Sequence, residues 1–266
     1  MDERTDLGRA TDRTLSLLWR DHLEASGRSR GPRPKVGVDD VVRAAVALAD
    51  AEGLGFSLRQ LAGRLGLAPM SLYTYVPGRA ELLALMVDAV MGESSHPPHA
   101  EELRVRMAAV ARQTWEELQR HPWLIQAQVA RPWLGPHAVR RYEWQLAAVE
   151  GVGLSDVEMD QAVTLLTGFA EGAARAAARV RESRSTSTLS DREWWEVNAP
   201  VLGRLMNEDD FPLATRVGRA AGEAYDSISD PERSFAFGLE RLLDGLEALV
   251  NRPRPPGDRA KTVGSR

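Results

Sequence analysis

The 266-residue chain contains no cysteine. This excludes disulfide bonds, catalytic thiols, iron–sulfur clusters and thiolate zinc sites, and it is typical of proteins that work in a reducing compartment. No uncharged apolar run approaches the roughly 18 residues that a membrane span requires. The stretch Met1–Asp6 is too polar for a secretory signal peptide. We therefore expect a soluble, cytoplasmic protein.

β-Branched and aromatic residues are also scarce, since the chain has two isoleucines, four tyrosines and five phenylalanines. Strands favour these residue types, whereas helices favour the Ala, Leu, Arg and Glu that dominate here. A hydrophobic content of 43% is sufficient for a buried core. The composition predicts an all-α fold.

The motifs of common enzymes are missing as well. We find no phosphate-binding Walker loop, no G-x-G-x-x-G, no G-x-S-x-G and no H-E-x-x-H. The pair His96 and His99 and the acidic run Glu208–Asp210 are the candidates for metal binding, but the two prolines between the histidines prevent the helical i, i+4 spacing of familiar zinc sites. The sequence therefore predicts no catalytic activity, no cofactor and no metal site.

Charge is unevenly distributed, although the net charge is only −4. Residues 26–80 contain eight basic and four acidic residues, a net charge of +4. Residues 81–250 contain 17 basic and 27 acidic residues, a net charge of −10. A basic unit joined to an acidic one favours a polyanionic partner at one end of the molecule, although an excess of four charges also arises by chance.

Breaks in the helical pattern divide the chain into four segments. Residues 1–35 form an N-terminal extension with a helix over 10–25 and a basic, proline-broken arm over 28–35. A small domain follows at 36–95 and a larger one at 96–250, and we expect the tail 251–266 to be disordered. Helices are predicted over 38–52, 57–65, 69–76, 79–92, 99–121, 136–150, 155–183, 190–207, 212–224 and 231–250. Helix 79–92 is expected to bridge the two domains.

Residues 57–76, SLRQLAGRLGLAPMSLYTYV, have the pattern of a helix-turn-helix. Ser57 and Gln60 form a capping box, Gly66 ends the first helix, and Pro69 begins the second. In such motifs the second helix enters the major groove of DNA. A solvated helix face normally carries Glu, Lys or Gln. The outward residues here instead offer hydroxyl groups that can contact phosphates and methyl groups that can contact the thymine methyl. These residues are Met70, Ser71, Tyr73, Thr74 and Tyr75. Two short helices joined by glycine also occur in proteins that bind no DNA.

The segment Val38–Glu93 resembles the N-terminal DNA-binding domain of the TetR/AcrR family of transcriptional regulators. The resemblance lies in Glu52-Gly53, Leu61-Ala62, Leu65-Gly66, Ser71-Leu72-Tyr73, a Val-Pro-Gly turn and an apolar fourth helix. The rest of the chain is similar, more loosely, to the C-terminal domain of tetracycline-type repressors, in Gly168-Phe169, Trp194-Trp195 and Gly238–Gly245. The resemblance implies a three-helix DNA-binding domain on a homodimeric helical bundle. It also implies a repressor that a small effector releases from a DNA operator.

The resemblance also implies roles for individual residues. Arg59, Ser71 and Thr74 lie where the family reads bases, while Tyr73, Tyr75 and Arg79 lie where it contacts phosphates. Arg79 begins a helix, where its charge opposes the helix dipole, as suits a residue that faces a phosphate. Two alternatives stay open for the basic arm 28–35, namely minor-groove contacts and a solvated linker.

The C-terminal segment contains most of the tryptophans, which suit a cavity for a hydrophobic or aromatic effector. The alternative for the tryptophans is ordinary core packing. The alternative for Glu171 and Arg175 is a surface ion pair at i, i+4. The candidate effector residues are Trp115, Trp123, Trp133, Trp144, Phe169, Glu171, Arg175 and Trp194.

Small residues and leucines on helices 155–183 and 231–250 are typical of a four-helix dimer interface. Packing within one chain is again the alternative. The candidate interface residues are Gly168, Gly172, Leu239, Leu242 and Leu246. For function, the alternative to an effector-released repressor is a helical small-molecule-binding protein that activates transcription or lacks effector-linked DNA release.

Overall fold

The computed structural model describes residues 3–26, 36–98, 100–127, 134–225 and 227–252. These residues form α-helices, short 3-10 helices and loops without a strand, which confirms the all-α prediction. In chain order the helices are α1 (Glu3–Leu18), α2 (Arg20–Ser26), α3 (Val38–Glu52), α4 (Leu58–Arg64), α5 (Arg79–Met91), α6 (Leu103–Arg120), α7 (Leu124–Ala127), α8 (Pro136–Ala147), α9 (Asp156–Thr186), α10 (Asp191–Leu205), α11 (Pro212–Tyr225) and α12 (Pro231–Val250). Trp133, His99, the basic arm and the tail after residue 252 lie outside the described residues.

Side-chain caps fix where several helices begin. The hydroxyl of Ser155 accepts a hydrogen bond from the backbone N–H of Glu158, and Asp230 accepts one from Arg233. Both caps were predicted from the sequence. A third capping box, Ser190 with Glu193, begins α10 in the same way. Each such cap satisfies a backbone N–H that has no partner within its helix.

The N-terminal extension and the region before α8 differ from the predictions. The single helix expected over 10–25 is two helices, α1 and α2, that meet at Trp19. Helix α7 was not predicted, because four residues are too few to show a helical period.

Two hydrophobic cores organise the chain. The first joins α1, α3, α4 and α5 with the end of α6 and with α7, and it includes Leu18, Leu61 and Leu82. The second lies between α6, α8, α9 and α12, with Leu166 and Leu239 fully buried. Helices α10 and α11 contain no buried residue. No helix in the described part of the chain has the length and apolar character that crossing a membrane requires.

Helix α5 bridges the two parts of the molecule. It packs against α1 and α3 on one side and against α7 and α8 on the other. Seven of its residues are buried, among them Leu82, Met86 and Val90. The structure therefore places α5 where the sequence predicted a bridging helix, directly after the helix-turn-helix.

Candidate DNA-binding and effector-binding sites

The first helix of the helix-turn-helix is fixed at both ends by its own sequence. The Ser57 hydroxyl accepts a hydrogen bond from the Gln60 backbone N–H at 3.2 Å, and the Gln60 side-chain oxygen accepts one from the Ser57 backbone N–H at 2.7 Å. Gly66 has a φ of +67°, the left-handed conformation that glycine adopts at low cost. The predicted capping box and helix end are confirmed.

The second helix of the motif is shorter and tighter than predicted. Residues Pro69–Thr74 form a 3-10 helix rather than an α-helix over 69–76. Ala68 precedes it without a side-chain cap, as the sequence indicated. Leu72 and Val76 are buried in the first core and hold the segment against α4.

The outward face of this segment is open to solvent. Met70 is 76% exposed and Tyr73 is 46% exposed, while Ser71 and Tyr75 are half-buried. The Thr74 hydroxyl donates to the Ser71 backbone carbonyl at 2.7 Å. Arg59 is exposed on α4. A methionine and a tyrosine left in water at a helix surface suit contact with another molecule.

Arg79 is exposed at the start of α5 and also forms hydrogen bonds within its own chain. Its guanidinium donates to the backbone carbonyl of Phe56 at 2.7 Å and to that of Leu54, and it lies 5.3 Å from the centre of the Phe56 ring. The 3-10 turn Gly53–Gly55 leaves these carbonyls without helical partners. Arg79 therefore joins the start of α5 to the loop before α4 through two of its five N–H donors.

Three aromatic rings stack where α6, α9 and α12 meet. The ring centres of Trp115 and Phe235 are 4.5 Å apart, and those of Phe169 and Phe235 are 5.7 Å apart. Gly238 makes room for this stack, since a Cβ at that position would lie 2.5 Å from Phe169 Cζ. Phe235, which was not among the predicted residues, thus brings two of the predicted effector residues together, namely Trp115 and Phe169.

The other predicted effector residues are spread over the molecule. The buried Trp123 donates its indole N–H to Asp50 of α3 at 2.8 Å, so it links the two domains. Trp194 is 40% exposed on α10 and stacks on Trp195. Trp144 donates to the Pro97 backbone carbonyl at 2.8 Å. Two further candidates are half-buried on α9: Glu171 and Arg175.

A buried polar cluster between α6 and α8 was not predicted. Arg141 donates to Glu117 Oε1 at 2.5 Å and to the Thr114 hydroxyl at 3.0 Å. All three side chains are buried. Thr114 and Glu117 follow Val110 at the spacing of one helix face, so the signal in the sequence was a charged residue on an otherwise apolar face.

The predicted dimer residues separate into two groups. A Cβ at Gly168 or Gly172 would meet no atom within 4 Å, and both glycines are exposed on α9. Leu239 and Leu246 are instead buried against α6 and α9 of the same chain, and Leu242 packs against the same core. The expectation that Leu239 and Leu246 face a partner is corrected, because the chain's own helices cover them. Leu242 is only half-buried, and its place in the interface stays a prediction.

Known proteins resemble this chain along most of its length. Residues 96–250 match the family model of the tetracyclin repressor-like C-terminal domain. The HTH-type transcriptional repressor DrrR1 of Streptomyces coeruleorubidus is 40% identical over 247 residues, which cover 91% of this chain and 87% of the relative. A solved structure, the Streptomyces coelicolor TetR family protein ActR in complex with actinorhodin, superposes with a TM-score of 0.65 at 29% identity over 83% of this chain and 99% of that one. The chain belongs to the TetR family of transcriptional regulators.

Proposed function

We propose that the protein represses transcription as a homodimer on an inverted-repeat operator, and that a small hydrophobic or aromatic effector releases it from the DNA. The observation that carries the proposal is the exposed face of Pro69–Thr74, held on the buried Leu72. This geometry lets an element enter a major groove while its outward hydroxyls and methyls contact bases and phosphates. Arg59 on the adjacent α4 adds a guanidinium group, which can donate two hydrogen bonds to the O6 and N7 atoms of a guanine.

Two recognition elements are needed for an inverted repeat, and their half-sites lie about 34–36 Å or a multiple of that apart. The open face of α9 around Gly168 and Gly172 supports the homodimer, because small residues let two helices approach closely. Leu165, 49% exposed on the same side of α9, adds apolar surface to this face. A second copy of the chain would cover it in an isologous contact.

Release requires an effector that binds the DNA-incompetent arrangement more tightly than the competent one. To change the ratio of DNA-competent to DNA-incompetent protein from 99:1 to 1:99, the effector must bind the incompetent form more tightly by about 5.5 kcal/mol. Helix α5 can transmit effector binding to the DNA-binding motif, since it begins shortly after the 3-10 helix Pro69–Thr74 and packs against α8. ActR, a relative, was solved with actinorhodin bound, which supports a small-molecule effector for this chain too.

The proposal is tested by fluorescence anisotropy with the full-length protein and duplexes from the DNA upstream of its own gene. We expect specific binding to one fragment with an inverted repeat. Tyr73→Phe should lower the affinity several-fold for every fragment, because it removes one phosphate donor. Tyr142→Phe is the matched control, since that hydroxyl donates to Asp160 far from the motif and its loss should leave DNA binding unchanged. Absence of any binding at low salt would contradict the proposed function.

A further inference from the structure

The side chains around Arg141 leave a hydrogen-bond acceptor without a partner in the interior of the C-terminal domain. Glu117 is 3% exposed, and its Oε1 accepts from Arg141. Its second oxygen, Oε2, is buried and has no hydrogen-bond partner among the described residues. Thr114 cannot supply one, because its hydroxyl already donates to the Val110 carbonyl at 3.1 Å. A buried polar atom without a partner is costly, so each such atom calls for a partner from outside the chain.

We propose that Glu117 Oε2 is the polar recognition point of the effector site, and that it accepts a hydrogen bond from a hydroxyl group on a neutral aromatic ligand. This inference rests on the proposed effector-controlled function and adds the chemical class of the effector. A carboxylate oxygen only accepts hydrogen bonds, so its partner must carry an O–H or N–H.

Charge balance selects a neutral donor. Arg141 and Glu117 form an ion pair whose side chains are only 9% and 4% exposed, so the pair is already neutral as a unit. A cationic ligand group would add an uncompensated positive charge to a buried environment, and an anionic group would face the carboxylate itself. A hydroxyl supplies the missing donor without either cost.

A second unpartnered atom lies near the same arginine. His96 Nε2 is buried without a hydrogen-bond partner in the described part of the chain. Burial lowers the pKa of His96, and the positive charges of Arg141, Arg140 and His137 lower it further, so the ring is neutral at pH 7. A neutral imidazole nitrogen donates or accepts according to its tautomer, so it adapts to a second polar group of the ligand.

The aromatic part of the ligand class follows from the ring beside His96. The centres of the His96 and Trp144 rings lie 5.4 Å apart. The indole N–H of Trp144 donates to the Pro97 carbonyl, so the polar atom of this side chain is satisfied and its ring contributes an apolar contact to His96. Flat aromatic ligands suit such rings through stacked or edge contacts.

The test uses wild-type full-length protein and small aromatic probes that differ in one group. Dissociation constants are measured by isothermal titration calorimetry for 2-naphthol, 2-methoxynaphthalene and 2-naphthoate. We expect 2-naphthol to bind about tenfold more tightly than 2-methoxynaphthalene, because only the naphthol can donate to Glu117. The naphthoate should bind more weakly than the naphthol. Equal binding of 2-naphthol and 2-methoxynaphthalene, or no measurable binding of either, would overturn the inference.

Two variants locate the effect. Glu117→Gln keeps one oxygen for Arg141 but replaces the free acceptor by a donor, so the preference for 2-naphthol should disappear or reverse. Glu116→Gln, the same change on the exposed side of α6, should keep the tenfold preference. If Glu117→Gln keeps the preference for 2-naphthol as well, a buried water donates to Glu117 Oε2 in the wild type and the inference is wrong.

DNA binding is measured separately. Intact DNA binding without a preference for 2-naphthol would overturn only this inference, whereas a preference for 2-naphthol without DNA binding would overturn only the proposed function.

Discussion

Asp88 Oδ1 lies 2.9 Å from the backbone nitrogen of Ala138, so a carboxylate of α5 caps the first turn of α8. The backbone N–H of His137 donates to the same oxygen at 3.1 Å. Gly135, the residue that precedes α8, makes this approach possible, since a Cβ there would lie 2.1 Å from the Asp88 oxygen. A buried carboxylate of α5 therefore ties the bridging helix to the start of α8.

The N-terminal extension reaches the same joint. The Trp19 indole N–H donates to the Leu134 backbone carbonyl at 2.8 Å, one residue before Gly135. Arg20, which follows Trp19, forms an ion pair with Asp39 near the start of α3. Residues from three parts of the chain thus meet where α8 begins, and the extension contributes to the contact between the domains.

Asp88 gives a prediction for stability against pH. Burial raises the pKa of Asp88, and the hydrogen bonds from Ala138 and His137 oppose the rise only in part. Asp88→Ala should lower the free energy of unfolding by about 1–2 kcal/mol, as expected for the loss of a cap. Asp88→Asn keeps an acceptor and removes a buried charge, so it should be at least as stable as the wild type at pH 8. Urea denaturation at several pH values measures both variants.

The direction with pH follows from linkage. The native-state pKa of Asp88 lies above its unfolded value, so the cost of the buried charge exists above the native-state pKa and disappears as the pH falls through it. Any advantage of Asp88→Asn should therefore shrink on acidification. The assignment would fail if Asp88→Asn were as destabilising as Asp88→Ala.

Arg79 gives a prediction for DNA binding. Because its guanidinium is bonded to the carbonyls of Leu54 and Phe56, Arg79→Ala should lower the free energy of unfolding by about 1 kcal/mol. DNA affinity should fall with it, but the slope of log affinity against log salt should stay unchanged. A residue that neutralises a phosphate would instead lower that slope by about one.

Arg79→Lys is the matched variant, because a single ammonium cannot reproduce the planar fork that reaches both carbonyls. It should behave like Arg79→Ala in stability while it keeps the charge. Wild-type stability in Arg79→Ala together with a reduced salt slope would restore the phosphate role that the sequence indicated.

Local signals explain why much of the fold and the DNA-binding motif could be predicted. The Ser57 capping box, the left-handed Gly66 and the cap at Asp230 each depend on residues within a few positions of one another. Their side-chain chemistry acts on the nearest backbone, so tertiary packing did not alter it. The bounds of α9 and α12 followed for the same reason.

The rest depended on which surfaces meet. The apolar periodicity of α12 indicates that Leu239 and Leu246 lie on a buried face of the helix. The same periodicity is expected whether that face packs against the same chain or against a partner chain. Arg79 reaches carbonyls more than 20 residues away, and Glu117 pairs with Arg141 across two helices. Such contacts between distant residues leave no periodic trace in the sequence.

Gly168 gives a prediction for assembly. A side chain at this exposed glycine meets nothing within its own chain, so Gly168→Arg should fold normally as a monomer. At a close helix–helix contact between two copies, however, the two arginines would collide and repel each other. We expect the dimer dissociation constant to rise by at least about 100-fold, which costs about 2.7 kcal/mol. Sedimentation velocity measures the two species.

Gly218→Arg is the control for this prediction. Gly218 lies on α11, and a Cβ there also meets nothing within 4 Å, so the substitution adds the same side chain away from the proposed interface. It should leave the dimer intact. If both variants remained dimeric, the interface would have to lie elsewhere than the open face of α9.

His121 gives a prediction for the second contact between the domains. Its ring nitrogens lie 2.7 Å from Asp50 Oδ1 of α3 and 3.0 Å from Glu93 Oε2 beyond the end of α5, while Trp123 donates to the same Asp50 oxygen. The imidazole is buried, but both carboxylates are partly exposed, so water screens each pair. His121→Ala should therefore cost about 1–2 kcal/mol of stability rather than the larger loss of a fully buried pair. It should also loosen the end of α6, which hydrogen–deuterium exchange would report as faster exchange over residues 118–127.

The control variant is Glu93→Gln. It keeps an acceptor for the His121 ring, so it should change exchange over residues 118–127 far less. Wild-type exchange in His121→Ala would show that the Trp123–Asp50 hydrogen bond alone holds α6 and α7 against α3, and that His121 does not connect the domains.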